Sequence, residues 1–423
     1  MSTQATENKE ELERLFLVYV NADSAEDDCV EAELEGLVEA ANGEVVGSAR
    51  QRVEKKWKAT YVGKGKVQEI KEAAAETGAE SVVFDCELSG LQIKTLEERI
   101  EMRVIDRTTL ILDIFARRAR TREGQLQVEL AQYSYRLPRL MSVYTKFERQ
   151  RGGIGMRGPG ETKLESDRRM VRDRIDKLQA DIDNVKKHRL QQRASRMLLP
   201  YPSVAIIGYT SAGKSTLMNA LCGTDLLADA MPFATLDPTT RKLDLPDGFS
   251  FFISDTVGFI RQLPTLLVAA FRATLEETIQ SDLLLHIIDV SSPDWETQRD
   301  AVNETIGILG AADVQVLTVF NKIDALEDKT QARRLVAEFP NSVAISAKNG
   351  TGLENMLEQM QLLLKGRYRR LKALVPYDKA NLVESSYSFG RVLIKDYRED
   401  GIYLEADLSP EMFGKLEKYA CDD

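Results

Sequence analysis

Residues 204–215, with the sequence VAIIGYTSAGKS, decide the fold. An apolar run typical of a buried strand leads into G-x-x-x-x-G-K-[ST], and a helix-forming segment follows. Glycines let backbone N–H groups surround a phosphate chain, the lysine reaches the β and γ phosphates, and the serine hydroxyl ligates Mg²⁺. From average residue usage, a chance match somewhere in the chain is on the order of 1 in 100. The predicted phosphate loop consists of Gly208, Tyr209, Thr210, Ser211, Ala212, Gly213, Lys214, Ser215 and Thr216.

Four further apolar runs follow the loop, and each is separated from the next by a segment long enough for a helix. They are residues 251–255, 283–289, 315–320 and 343–345. Five hydrophobic strands with such connections are the pattern of an α/β fold with a doubly wound, mostly parallel sheet. Ligands of these sheets bind at the carboxyl ends of the strands, so the residues that follow each run are candidates for the site.

Two short motifs at the ends of later runs predict which base is bound. An aspartate carboxylate can accept hydrogen bonds from both N1–H and the exocyclic amino group of guanine, and adenine offers no such pair of donors. The first motif follows the run 315–320 and places Asp324 in this role. The second follows 343–345, and we expect its backbone N–H to be available for the guanine carbonyl. The predicted base-binding residues are Asn321, Lys322, Ile323, Asp324, Ser346, Ala347 and Lys348.

Two segments between these motifs are predicted to sense the γ phosphate: the first switch segment, residues 233–241, and the second, residues 255–261. Asp255 would hold Mg²⁺ through water, and the Gly258 N–H can meet the γ phosphate. A threonine of the first segment can close over Mg²⁺, and we choose Thr235 rather than Thr239 or Thr240. The predicted nucleotide contacts are Phe233, Ala234, Thr235, Leu236, Asp237, Asp255, Thr256, Val257 and Gly258. The predicted Mg²⁺ ligands are Ser215, Thr235 and Asp255, and the predicted catalytic residues are Lys214, Thr235 and Gly258.

Composition limits the class of protein. A length of 423 residues allows two to four domains, and 43% hydrophobic residues exclude disorder throughout and a fibrous fold. No apolar run approaches the roughly 18 residues that a membrane-spanning helix needs. The acidic amino end lacks the features of a secretion signal, so we expect a cytoplasmic protein. Four cysteines without a C-x-x-C pair, and only two histidines, predict reduced thiols rather than disulfides or a zinc site.

The remaining parts of the chain differ in pattern. Short β-rich runs alternate with helical patterns from residue 15 to about 113, which indicates an open α/β domain. Within it, the turn GKGK at residues 63–66 opens a helix but lacks the rest of a phosphate-binding fingerprint, which favours a plain turn. We predict an N-terminal α/β domain (1–113), a helical hairpin linker (114–199), a GTPase domain (200–366) and a small C-terminal α+β domain (367–423). The last contains a β-hairpin around Asp400-Gly401.

The linker region is basic although the whole chain has a net charge of -10. Residues 111–200 contain 21 Lys and Arg against 11 Asp and Glu. Apolar residues at 3-and-4 spacing from 164 to 185 predict one long helix, and a second stripe from 125 to 147 is interrupted at Pro138, where we expect a kink or break. Two facing helices would bury both stripes, and their glycine-rich connection, residues 149–160, is predicted to be non-helical. Its arginines, Arg149, Arg151 and Arg157, favour nucleic-acid contact over a merely solvated hairpin.

Together these motifs resemble the HflX family of translation-factor-related GTPases. The resemblance is carried by GGIGMRGPGE, the phosphate loop, FATLDPTT, DTVGFIR and NKID, and it spans almost the whole chain. It implies an N-terminal α/β domain, a helical linker, a GTPase domain and association with the large ribosomal subunit and its RNA, in separating or rescuing stalled ribosomes. It also supports Thr235 as the switch ligand. We expect a monomer that binds GTP or GDP with Mg²⁺.

Phe259 occupies the position at which many GTPases carry a water-orienting glutamine. Phenylalanine cannot orient water, so we expect it to pack against apolar surface. Catalysis would then rest on Mg²⁺, Lys214, backbone groups and a group from the partner.

The leading hypothesis is a GTPase that hydrolyses GTP while engaged with the ribosome. One alternative is a nucleotide-gated RNA-binding module in which hydrolysis is incidental. A third interpretation is an ATP-dependent enzyme that uses the turn at residues 63–66.

Overall fold

The structure is a computed structural model that describes residues 12–20, 27–52, 59–148, 159–197, 201–223, 232–233, 239–245, 249–261, 264, 281–365, 369–408 and 410–421. Its residues form two compact units. The first unit contains the described residues up to 181, with Pro232, Phe233 and Pro264. The second contains the other described residues from 182 onward.

The first unit begins with a four-stranded parallel sheet in the order β2-β1-β3-β4. Its elements are β1 (Glu13–Val20), α1 (Asp27–Ala40), β2 (Gly43–Gln51), α2 (Lys64–Thr77), β3 (Ser81–Phe84), α3 (Gly90–Ile100) and β4 (Arg103–Asp106). The predicted open α/β arrangement is confirmed, although α3 and β4 were not individually recognised. Phe16, Val18, Val82 and Phe84 are buried between the sheet and its helices.

Three helices complete the first unit: α4 (Arg107–Arg118), α5 (Arg122–Glu148) and α6 (Pro159–Met197), of which the second unit takes the end from residue 182. α4 runs across the predicted domain boundary at residue 113. Pro138 lies inside α5 and does not end it, so the expected break is absent. α6 begins at Pro159, so the prediction of a non-helical connection is wrong for its last two residues. Proline suits the first helical position because its missing N–H would have no partner there.

The apolar stripe predicted for α6 is shielded from solvent in its middle. Leu178 is fully buried, and Val171 and Ile175 are partly buried. Beside them the Arg174 Nε donates a hydrogen bond of 2.8 Å to Glu129 Oε1 on α5. This polar contact joins the two helices, and the mutual burial of their apolar stripes stays a prediction.

The second unit contains a six-stranded sheet in the order β10-β9-β8-β5-β7-β6. Its elements are β5 (Ser203–Gly208), α7 (Lys214–Cys222), β6 (Thr239–Asp244), β7 (Ser250–Asp255), β8 (Leu283–Asp289), α8 (Trp295–Leu309), β9 (Gln315–Asn321), α9 (Lys329–Glu338), β10 (Ser342–Ala344) and α10 (Leu353–Lys365). All five predicted strands are present and parallel. The antiparallel edge strand β6 was not predicted.

A smaller three-stranded antiparallel sheet follows, in the order β11-β13-β12. It consists of β11 (Arg369–Val375), α11 (Ala380–Phe389), β12 (Gly390–Arg398), β13 (Gly401–Leu408) and α12 (Pro410–Leu416). The predicted hairpin at Asp400-Gly401 is confirmed, and Gly401 has the positive φ of 154° that an ordinary residue would rarely adopt. Among the helices of the described ranges, none is long and apolar enough to span a membrane.

Candidate nucleotide site

The phosphate loop connects β5 to α7 at the carboxyl edge of the second unit's sheet. Gly208 has φ 154°, and a Cβ there would lie 2.4 Å from the Ile287 carbonyl oxygen on β8. Gly213 has φ 96°, and a Cβ there would lie 2.3 Å from Asn321 Nδ2. Both glycines are therefore required by the backbone and by close neighbours, as the motif predicted.

Lys214 is buried at the first residue of α7. Its ammonium donates hydrogen bonds to the carbonyl oxygens of Gly208, at 3.2 Å, and Tyr209, at 2.6 Å. Burial lowers the pKa of Lys214 to about 8, against the opposing effect of the Asp255 charge. The loop thus holds a desolvated cation in the place where a phosphate group would supply the missing negative charge.

Ser215 and Asp255, two of the predicted Mg²⁺ ligands, are adjacent. The Ser215 hydroxyl lies 3.1 Å from Asp255 Oδ2, and Asp255 is almost fully buried at the end of β7. Hydroxyl and carboxylate oxygens are the ligands that Mg²⁺ prefers, so the pair fits this metal. The third predicted ligand, Thr235, lies outside the described residues.

The second switch segment runs along the phosphate loop. The Thr256 hydroxyl donates to the Ile206 carbonyl at 2.6 Å, and Val257 is buried. A Cβ on Gly258 would lie 3.0 Å from Lys214 Nζ, so the predicted γ-phosphate contact is beside the predicted lysine. Phe259 is 2% exposed, so its ring is buried, and its packing against apolar surface stays a prediction.

Asn321 joins the loop to the base-binding motifs. Its Nδ2 donates to the Ala212 carbonyl at 2.8 Å, and its Oδ1 accepts from the Ala347 N–H at 3.0 Å. Lys322 has φ 64° and its ammonium lies 2.6 Å from Asp289 Oδ2. Asp324 follows on a short 3₁₀ turn that starts at Ile323, and its side chain is exposed.

The expectation for the second base motif is wrong in part. The Ser346 N–H donates to the Thr351 carbonyl at 2.9 Å, and the Ala347 N–H donates to Asn321. Neither backbone amide is therefore available for the guanine carbonyl in this conformation. Lys348 follows them in an exposed turn.

The first switch segment is described only at its two ends. Ala234, Thr235, Leu236 and Asp237 lie outside the described residues. Phe233 belongs to the first unit, where its ring meets that of Phe115 edge-on with centroids 4.6 Å apart. Thr239 and Thr240 lie in β6, and the Thr240 hydroxyl is 2.8 Å from the Ser254 hydroxyl.

Sequence reasoning missed several polar residues around the site. Asp289, which pairs with Lys322, ends β8 directly opposite Asn321 of β9 in the strand register. Its place after an apolar run was the available signal. Arg261 and Asp294 form an ion pair, and the Tyr209 hydroxyl accepts from the Arg261 N–H at 2.8 Å. No spacing rule links these three positions, so only the folded chain brings them together.

This arrangement defines a P-loop GTPase domain. It combines a glycine loop between strand and helix, a buried lysine, a serine beside a buried aspartate, and an asparagine that bridges to the next motif. Residues 203–322 match the family model described as 50S ribosome-binding GTPase. Residues 30–116 match GTP-binding GTPase N-terminal, and 118–196 match GTP-binding GTPase Middle Region.

Curated relatives match almost the whole chain. GTPase HflX of Lacrimispora saccharolytica is 44% identical over 98% of each chain. GTPase HflX of Escherichia coli K12 is 43% identical over 92% of this chain and 91% of its own. The chain belongs to the HflX family of GTPases, and it binds guanine nucleotides and hydrolyses GTP. Among solved structures it is similar to a GTP-binding protein from Sulfolobus solfataricus in complex with GDP, with 24% identity, a TM-score of 0.45 and coverage of 84% and 99%.

Proposed function

We propose that this GTPase binds the large ribosomal subunit in the cytoplasm and acts in splitting or rescuing stalled ribosomes. The observation that carries the proposal is the match of residues 203–322 to a family of 50S ribosome-binding GTPases. The basic composition of residues 111–200 supports it, since ribosomal RNA is a dense polyanion and the whole chain is acidic.

The hairpin of α5 and α6 supports the same partner. The two helices carry the predicted glycine- and arginine-rich tip at their far ends, and this tip lies outside the described residues. Its glycines should let its arginines approach RNA closely. α6 leads through residues 198–202 to β5 and its phosphate loop, so nucleotide state could bias the hairpin's orientation.

Sedimentation with purified subunits tests this proposal. The protein is mixed with large subunits, small subunits or whole ribosomes in GTP, in GDP and in a non-hydrolysable GTP analogue. We expect co-sedimentation with the large subunit that depends on the nucleotide, and faster GTP turnover when large subunits are added. Binding without any change in turnover would instead favour the alternative of a nucleotide-gated RNA-binding module.

We further propose that Mg²⁺ accompanies the nucleotide, held by Ser215, by Asp255 through water and by Thr235 in the GTP state. Mg²⁺ usually keeps several waters and binds through few protein ligands beside the phosphates of a nucleotide, which suits this small set of side chains. When bound, the ion would neutralise charge on the β and γ phosphates.

The Ser215→Ala variant tests the metal assignment. It removes one oxygen ligand and the 3.1 Å contact with Asp255, so the Mg²⁺ concentration needed for half-maximal GTP binding should rise about tenfold or more. Titration of fluorescent GTP binding with Mg²⁺ measures this, and Ser254→Ala on the same strand as Asp255 is the control. An unchanged Mg²⁺ requirement would remove Ser215 from the ligand set.

A further inference from the structure

The second switch segment is attached to the phosphate loop at its carboxyl half. The Phe259 N–H donates to the Gly208 carbonyl at 3.1 Å, and the Thr210 N–H donates to the Phe259 carbonyl at 2.8 Å. Two residues later, the Arg261 N–H donates to the Tyr209 hydroxyl at 2.8 Å. The first two bonds join main chain to main chain, whereas the third depends on one side chain that a substitution can alter.

Arg261 is held from its other end as well. Its guanidinium forms an ion pair with the carboxylate of Asp294, and the exposed fractions of the two side chains are 17% and 9%. Little water reaches this pair, so its attraction is screened less than that of a surface pair.

The side chain of Asp294 does not have the role that is usual at its position. It is the residue immediately before α8, where an aspartate usually accepts a hydrogen bond from a backbone N–H of the first turn. Its side chain makes no such capping bond, although its carbonyl accepts the first helical hydrogen bond, from the Gln298 N–H at 3.1 Å. The carboxylate is therefore committed to the switch segment rather than to its own helix.

The chemistry of the site explains why this attachment matters. The Phe259 side chain offers no polar group to the attacking water, and its N–H is given to Gly208, so the orientation of the Gly258 N–H must contribute to catalysis. Gly258 lies beside Lys214, and the attachment at Arg261 is three residues further on. A donor fixed before the reaction needs no reorganisation when charge develops on the γ phosphate.

We propose that Tyr209, Arg261 and Asp294 form a latch that positions the backbone of Gly258 and Phe259 for GTP hydrolysis. They are positioning residues, because their side chains act on the switch segment: the Tyr209 hydroxyl accepts from the Arg261 N–H, and the Arg261 guanidinium pairs with Asp294. Tyr209, on the phosphate loop, bonds to the backbone of Arg261, and Asp294, at the start of α8, pairs with the side chain of Arg261. The latch concerns hydrolysis by the free protein and does not depend on the ribosomal proposal.

Steady-state GTP hydrolysis by the full chain tests the latch. Tyr209→Phe removes one hydroxyl and should lower kcat about fivefold, the effect of a typical neutral hydrogen bond. Arg261→Ala and Asp294→Ser should each lower kcat about tenfold or more, as for a charge-assisted contact. The Asp294 side chain makes no capping bond and serine is favoured at this position, so the second change spares the helix. KM for GTP, GDP affinity and unfolding temperature should stay near those of the parent.

Two comparisons separate positioning from general damage. The Arg261→Ala/Asp294→Ser double variant should be no slower than the worse single variant, because both changes break one interaction. Tyr201→Phe and Arg299→Ala remove a hydroxyl and an ion pair elsewhere in the same unit, and both should retain the parent kcat. Unchanged kcat in Tyr209→Phe, additive effects in the double variant, or a parallel decrease in GDP affinity would each overturn the latch.

Discussion

Two charged residues of the nucleotide site, Lys214 and Asp324, are held in opposite environments. Lys214 is buried within the phosphate loop and bonded to two carbonyl oxygens, whereas Asp324 is exposed on a 3₁₀ turn. The lysine therefore carries a desolvation cost that bound phosphate would relieve. The exposed aspartate carries no such cost, and we expect its contribution to be to base selectivity.

Nucleotide affinity should fall as pH rises because of Lys214. Burial lowers its pKa to about 8 in the free protein, and bound phosphates should raise it again, so binding takes up a proton above pH 8. From these values GDP affinity should weaken about fourfold between pH 7 and pH 8.5. Titration calorimetry in buffers of different ionisation enthalpy measures both the GDP affinity and the number of protons taken up on binding. Lys214→Arg cannot titrate in this range, and a similar pH dependence in that variant would assign the effect elsewhere.

Base selectivity should move with Asp324. The variant Asp324→Asn replaces one carboxylate acceptor by an amide donor, which suits xanthine because its 2-position is a carbonyl. We expect weaker GTP binding and tighter xanthosine triphosphate binding, each by about tenfold or more. Competition against fluorescent GDP measures the preference. Asp328→Asn, a few residues later at the start of α9, is the control, and an unchanged preference in Asp324→Asn would remove the base-binding assignment.

At the scale of elements, the site is built where strands end. β5, β7, β8 and β9 are parallel neighbours, so Gly208, Asp255, Asp289 and Asn321 come to one edge of the sheet from distant parts of the chain. β6 contains two threonines of the first switch segment. Thr239 and Thr240 pair with Asp255 and Ser254 of β7, and Thr235 stays the predicted ligand.

The hairpin of α5 and α6 has its own prediction. Replacing Arg149, Arg151 and Arg157 by alanine should weaken large-subunit binding and reduce the slope of log affinity against log salt by about 0.7 to 0.9 for each phosphate that the variant no longer neutralises. Ribosome-stimulated hydrolysis should disappear while GTP affinity stays unchanged. Sedimentation at several salt concentrations measures this, with Arg172, Lys177 and Lys187 to alanine on α6 as a charge-matched control. If the tip variant binds and is stimulated like the parent, the ribosome-binding surface lies elsewhere.

At the scale of the whole molecule, the three sheets have separate hydrophobic cores. One core covers the four-stranded sheet of the first unit, and another fills the six-stranded sheet that carries the phosphate loop. The three-stranded sheet after residue 368 has its own smaller core around Leu404 and Ala406. Of these three cores, the second lies under the described residues assigned to the nucleotide.

Nucleotide should therefore stabilise part of the molecule selectively. GDP at about 100 times its dissociation constant adds about 2.7 kcal/mol to the free energy of unfolding of the part of the chain that unfolds together with the nucleotide site. Scanning calorimetry should show more than one transition, with only the transition of the second unit moving upward in GDP. Lys214→Ala should abolish the movement. A single transition that moves as a whole would show that the two units unfold together.

Much of the fold follows from local pattern in the sequence. The five parallel strands appear as short apolar runs, and α6 appears as apolar residues at 3-and-4 spacing. The phosphate loop is a motif of eight consecutive residues. Each of these signals is local, so it can be recognised in the sequence alone. The edge strand β6 was missed because Arg241, Lys242 and Asp244 are exposed on both of its faces and Leu243 is its only apolar residue, so it has no apolar alternation. The predicted non-helical connection extended two residues too far, to residue 160, because a proline can begin a helix as well as end one.

The sequence by itself determined the nucleotide chemistry, since each phosphate- and base-binding motif is a short run whose residue types are dictated by what they touch. Only the tertiary structure decided which groups are already engaged. Ala347 gives its N–H to Asn321, and Asp294 gives its carboxylate to Arg261 instead of capping α8. These contacts join residues 26 and 33 positions apart. Such distant pairs have no spacing rule, because their meeting depends on how strands and helices pack and not on the period of either.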